Sequence, residues 1–181
     1  MEHPKTFISY SWASKSYVEF VIDLADKLVF DGVDVIFDQY DMAVGHDMFY
    51  FMEKIAEADK VLILCDKTYM EKANSRKHGV GTETRIITPE LFKDAEQTKF
   101  IPVVTESWDY VPIFLRSLKA IDITPGKRKE GYTKLLQAIY DIPEAVKPKI
   151  GQRPKIQPRL SAPIMDLDED DLFNEIFGKS E

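Results

Sequence analysis

Cys65 is the single cysteine of a 181-residue chain, so no internal disulfide can form. It stands inside an apolar run, where a thiol reads as buried and inert. Histidine is scarce too. His3, His46 and His78 lack ligand spacing with one another or with Cys65, which sets a structural metal aside. No apolar run approaches the roughly 18 residues that a membrane span requires. The opening Met-Glu-His-Pro-Lys has no apolar secretory segment, so the expectation is a cytoplasmic protein with no membrane role. Neither GxGxxG after the first apolar run nor GxxxxGK[ST] occurs, which removes the dinucleotide fingerprint and the P-loop.

What the chain does have is ordinary globular material, with 44% hydrophobic and 12% aromatic residues, enough for one sizeable core. The net charge of −7 is unevenly spread and marks the divisions. Residues 147–159 carry Lys147, Lys149, Arg153, Lys155 and Arg159, no acid, and three prolines. Such a stretch cannot continue a helix and reads as an extended linker. The expected organisation is a domain over 1–146, a basic proline-rich linker over 147–163, and an acidic amphipathic segment over 164–181. An acidic body repels phosphates, so no direct nucleic-acid role is expected.

Within 1–146 the apolar pattern alternates between strand and helix periods. Phe7 to Ser11, Val33 to Phe37, Val61 to Cys65, Phe100 to Val104 and Ala120 to Ile123 read as five strands. Ser16 with Glu19 offers a capping box for a helix whose inner face is Val18, Val21, Ile22, Ala25, Leu28 and Val29, with Gly32 as its stop. Asp47 can cap a second helix with Phe49, Met52, Ile55 and Ala56 inward. A helical stretch follows Glu83 through Leu91, and Tyr132, Leu135, Leu136 and Ile139 mark a closing helix. Pro102 lacks a donor, which pushes the fourth strand toward an edge or an irregular position. Alternation of this kind predicts a flavodoxin-like α/β fold: a five-stranded parallel sheet with helices on both faces.

The stretch richest in chemistry is Gly79-Val80-Gly81-Thr82-Glu83. Two glycines permit backbone torsions and close ligand approach that other residues resist. They deliver one carboxylate beyond the carboxyl end of an apolar strand, where open α/β sheets place ligands. A response-regulator receiver shares this architecture, and Asp66 follows the third strand as a phosphoacceptor would. That reading wants an acidic pair after the first strand, where this chain has Ser11 and Trp12. No lysine ends the fourth or fifth apolar run.

Taken in order, Lys5 to Trp12, Gly32 to Gln39, Gly45 to Asp47, Ala58 to Cys65 and Gly79 to Glu83 resemble bacterial TIR-type domains, including the related SEFIR-like group, over residues 4 to 142. The resemblance implies an NAD⁺ hydrolase that releases nicotinamide and gives ADP-ribose or a cyclic isomer. An anti-phage effector switched on by assembly is the expected setting. Glu83 matches the catalytic glutamate of such enzymes, with NAD⁺ as substrate and no metal. Breaking the nicotinamide–ribose bond builds positive charge on the ribose, which one nearby carboxylate can stabilise while nicotinamide leaves neutral. The plain alternative is that Glu83 merely sits in a first helical turn and suits its dipole; the surrounding motif favours the catalytic role.

Ser9, Ser11, Trp12, Gly79 and Gly81 are the positions expected to contact the nucleotide. Trp12 either stacks on a ring of NAD⁺ or covers the first helix. Arg76 and Arg85, with Lys77, either hold the diphosphate or are exposed charges. The acidic loop from Asp38 to Asp47 corresponds to the BB loop of TIR domains, which implies self-association or gating rather than phosphate binding; a solvated turn is the plain alternative. In the last segment, Leu172, Phe173, Ile176 and Phe177 share one helix face behind a run of acids, the pattern of a partner-docking helix or of a tail with no partner. The alternative to the enzyme is a non-catalytic interaction module acting through TIR–TIR contacts.

Overall fold

A computed structural model of the chain describes residues 3–75 and 96–156. The chain divides into two units, Met1–Val146 and Lys147–Glu181. In the second, residues 147–156 form no helix or strand and are exposed. The first unit is built on five strands: β1 (Lys5–Ser9), β2 (Asp34–Ile36), β3 (Lys60–Cys65), β4 (Phe100–Val104) and β5 (Ile121–Asp122). All pair in parallel in the order β2-β1-β3-β4-β5, the flavodoxin-like order, with its switch point between β1 and β3.

The helices are α1 (Lys15–Phe30), α2 (Asp38–Asp41), α3 (Met48–Glu57), α4 (Lys67–Ser75) and α5 (Arg128–Ile139). Strand side chains alternate between two cores, as a period of two requires. Ile8, Leu62, Leu64, Ile101 and Val103 pack with α1 and α5. Phe7, Val61, Ile63, Cys65, Phe100 and Val104 face the other way, with Phe51, Met52 and Ile55 of α3 and Tyr69 of α4. β3 is buried at all six positions, which is why it reads as an unbroken apolar run. Each fully buried Leu or Ile contributes about 1.5–3 kcal/mol of transfer free energy. Burial pushes the Cys65 thiol up to about 12, so it stays protonated and unreactive.

Several details depart from the expectations. The N-cap of α1 is Ser14, whose Oγ accepts from Tyr17 N at 3.1 Å. Ser16 is exposed inside the first turn and Glu19 pairs loosely with Lys15 at 3.9 Å. The buried stripe of α1 is Tyr17, Val21, Leu24, Ala25 and Leu28, so Val29 turns out to solvent. Gly32 does follow the helix, at φ +90°. In α3, Phe51, Met52 and Ile55 are buried, while Ala56 is exposed; the side chain of Phe49 and the helix expected from Glu83 to Leu91 lie outside the described residues. α4 had no counterpart in the expected elements.

Pro102 sits in β4, second from the sheet edge. Lys99 O accepts from Val61 N on the β3 side, and Val104 O accepts from Ile123 N on the β5 side. Bonding alternates along the strand, so the donorless nitrogen of Pro102 faces β5. Pairing there begins only at Val103. An interior proline is tolerated because its outer neighbour is two residues long.

α5 approaches the sheet through Gly131. A Cβ there would collide with the Asp122 carbonyl oxygen and stand 2.8 Å from Ile123 Cγ2. Gly131→Ala would raise helix propensity by about 1 kcal/mol at an ordinary site. Here the clash, typically about 1–3 kcal/mol, works against that gain. The variant should therefore unfold at lower urea concentration with an unchanged m value; a higher midpoint would show that α5 can move away freely.

Candidate functional site

The carboxyl ends of β1 and β3 meet at the switch point, and polar side chains converge there. Ser9 Oγ and Tyr69 OH are 3.1 Å apart. Ser11 Oγ donates to Asp66 Oδ2. The other carboxylate oxygen of Asp66 accepts from Tyr69 N at 2.9 Å, which caps the start of α4. Beside them, Thr105 Oγ1 donates to Cys65 O at 3.1 Å and lies 3.1 Å from Tyr17 OH. Burial, with the charge of Asp66 adding to it, pushes the Tyr17 phenol up. Asp66 is wholly buried. These bonds tie β1, β3, α4, the end of β4 and α1 into one polar floor.

A second buried carboxylate sits where β2 passes into α2. Asp38, 7% exposed, accepts from Tyr10 OH at 3.0 Å, Trp12 Nε1 at 3.1 Å and Gln39 N at 2.9 Å. Burial, then the charge of Asp38, pushes the Tyr10 phenol up. Asp41 accepts from Phe37 N at 2.8 Å, and Tyr40 OH donates to Asp26 on α1. The base of the 38–47 loop is thus pinned on both sides.

Beyond it several apolar side chains stand exposed among polar ones. Val44 is fully exposed, Tyr50 is 70% exposed and Trp12 is 61% exposed, with Met48 and Tyr40 also showing. The loop is less acidic toward solvent than its composition suggests, because Asp38 points inward.

The expected site residues therefore separate. Ser9 and Ser11 lie under the edge, buried, with hydroxyls engaged in internal bonds. Trp12 is held by its indole N–H to Asp38 and presents its ring. Glu83, Gly79, Gly81, Arg76 and Arg85, and the acidic segment 164–181, lie outside the described residues. Among the described residues no cluster of His, Cys, Asp and Glu could hold a metal, and no helix is long and apolar enough to cross a membrane.

Sequence reasoning missed Asp38 as an internal anchor and treated Asp66 only as a phosphoacceptor. The signal for Asp66 was present: an acid at the end of an apolar strand with a helix starting immediately after it. Its burial and its two partners leave no oxygen open to a phosphoryl donor.

The fold together with the family match and the 44% identical structure places the chain in the TIR/SEFIR superfamily. The family model described as the SEFIR domain matches residues 4–126. A crystal structure of a prokaryotic SEFIR domain is 44% identical, over 82% of this chain and 99% of that one, with a TM-score of 0.66. The chain belongs to the SEFIR family. Two further structures share the fold at 16% identity. One is the TIR domain of the Toll-related receptor TRR-2 from Hydra magnipapillata, with a TM-score of 0.55, over 75% of this chain and 97% of that one. The other is the SEFIR domain of interleukin-17 receptor B, with a TM-score of 0.51, over 75% and 96%. No functionally curated protein matches the chain. SEFIR membership favours the interaction module, given above as the alternative, over the hydrolase.

Asp66→Ala removes a helix cap, a loss of about 1 kcal/mol, and strands the buried Ser11 hydroxyl, which adds about 1–3 kcal/mol. A fall in unfolding free energy of about 2–4 kcal/mol in urea is expected. A change under about 0.5 kcal/mol, the size of an ordinary surface substitution, would show that water replaces the carboxylate freely.

Proposed function

We propose that this SEFIR domain is a signalling module that works by contacts between like domains, made by the 38–50 segment with Trp12. The observation that carries this reading is a set of exposed apolar side chains next to an anchored base. Val44, Tyr50 and Trp12 stand in solvent, while Asp38, Asp41 and Tyr40 fix the chain beneath them. Exposed apolar side chains grouped on one segment mark contact surfaces. A base already ordered reduces the entropy lost on association. TIR and SEFIR domains associate through domain contacts, which fits the same surface.

Wild-type protein should then show concentration-dependent association in sedimentation velocity. The double variant Val44→Glu, Tyr50→Glu should weaken it by about tenfold or more, the equivalent of about 1.4 kcal/mol. Its thermal unfolding should be unchanged, because both side chains are exposed. Equal association by wild type and variant would remove this surface from the contact.

A second reading is hydrolysis of NAD⁺ at the nicotinamide–ribose bond, with Glu83 as the catalytic carboxylate. It is supported by the Gly79–Glu83 sequence and by the ring of Trp12 exposed at the carboxyl edge. Nicotinamide release from NAD⁺, measured by chromatography on protein shown to be assembled, tests it. Glu83→Gln should lower the rate by about 10²–10³, the usual loss for one electrostatic stabiliser. No release from assembled wild-type protein would remove the enzyme and leave the module.

A further inference from the structure

On the face of the sheet covered by α1 and α5, a groove of about 550 Å³ runs between the two helices. Leu24 and Ile123 are buried at its floor, and Phe20 and Tyr132 are half-buried along its sides. Its cations are set on those rings. The Arg128 guanidinium lies 4.7 Å from the Phe20 ring centre, and Lys27 Nζ lies 4.5 Å from that of Tyr132. Such stacking fixes a positive head in a partly apolar setting. Lys27 also pairs with Asp31, and neighbouring Lys127 with Asp122. Among the described residues Arg128 and Lys129 make no salt bridge. Asp23 is the one acid on the lining.

On a chain of net charge −7, a groove lined by Arg128, Lys129 and a Lys27 already paired with Asp31, against Asp23 alone on the lining, is locally inverted. Its apolar sides distinguish it from a plain cation patch. What complements fixed cations above an apolar floor is a peptide with carboxylates beside large apolar side chains. Two flanking helices suit such a segment laid along the groove.

We propose that the α1–α5 groove is a docking site for an acidic amphipathic peptide segment supplied in trans, its apolar side chains against Phe20 and Tyr132 and its carboxylates on Arg128 and Lys129. A sequence of this chemistry is available in residues 164–181, where Leu172, Phe173, Ile176 and Phe177 follow five acids in six positions, Asp166 to Asp171. The groove uses neither Trp12, Val44 nor Tyr50, so its test is separate from that of the loop surface.

The probe is a fluorescein-labelled synthetic peptide of residues 164–181, titrated by anisotropy onto the full chain. That chain carries Phe173→Ser and Phe177→Ser, so only the added peptide bears the complete apolar pattern. Saturable binding is expected, weakening as salt is raised. Arg128→Glu with Lys129→Glu should weaken it about tenfold or more, because two attractions become repulsions. Lys129→Glu alone, at an exposed residue, should weaken it about threefold and decides the matter if the double variant loses cooperative unfolding. A peptide with both phenylalanines replaced by serine should bind at least about tenfold more weakly. Absence of saturable binding, indifference to Lys129→Glu, or equal binding of the serine peptide would each overturn the proposal.

Discussion

The wholly buried carboxylate of Asp66 is the constraint on which the carboxyl edge of the sheet depends. It follows the most buried strand, caps the helix that leaves it, and accepts from the hydroxyl of Ser11, just past the end of β1. An unpaired charge in that position would cost several kcal/mol; the bonded one fixes where β1 ends and where α4 begins. Tyr17 and Thr105 extend the same network to α1 and β4. At this edge the polar side chains of Ser9, Ser11, Asp66 and Tyr69 are bonded to one another.

Asp38 has a related role at the end of β2, with a different consequence. It holds two aromatic residues from the end of β1 against the start of α2. The loop that follows is therefore anchored at its root by hydrogen bonds, while its outer residues meet water. Such a loop can present Val44 in a defined place without a core beneath it, while Tyr50 stands on the first turn of α3. Rigidity at the base and apolar exposure at the tip are the two properties an association surface needs. The first comes in part from the alternation of polar and aromatic residues between Ser9 and Trp12, which presents Tyr10 and Trp12 to Asp38; the second comes from Val44 and Tyr50.

The strands were legible because burial dictates composition. β3 has both faces covered and reads as the apolar run Val61 to Cys65, and the parallel pairing follows from strand–helix alternation. The ends of elements were less legible, for local reasons. Ser14 outcompeted Ser16 as the α1 cap because the geometry of one hydroxyl to one amide decides it, and both serines look alike in sequence. Pro102 looked like an edge signal, but a proline nitrogen matters only on the side it faces. The inward turn of Asp38 could not be read from a loop rich in aspartate, since its partners Tyr10 and Trp12 lie 28 and 26 positions away. Glu83, the residue with the most chemical meaning in sequence, belongs to the stretch 76–95 outside the described residues.

That division bears on the choice between module and enzyme. A catalytic site needs polar groups that are preorganised yet uncommitted, aimed at charge that develops in the transition state. Ser9, Ser11, Asp66 and Asp38 are preorganised but committed to one another and to their aromatic neighbours. Recruiting any of them for NAD⁺ would break a buried hydrogen bond and strand its partner, at about 1–3 kcal/mol each. The 38–50 surface asks for no such exchange. Its exposed side chains gain by being covered and lose no internal bond. Catalysis would need its carboxylate from residues 76–95, with Trp12 as the exposed aromatic at the edge, whereas association can proceed from the described surface as it stands.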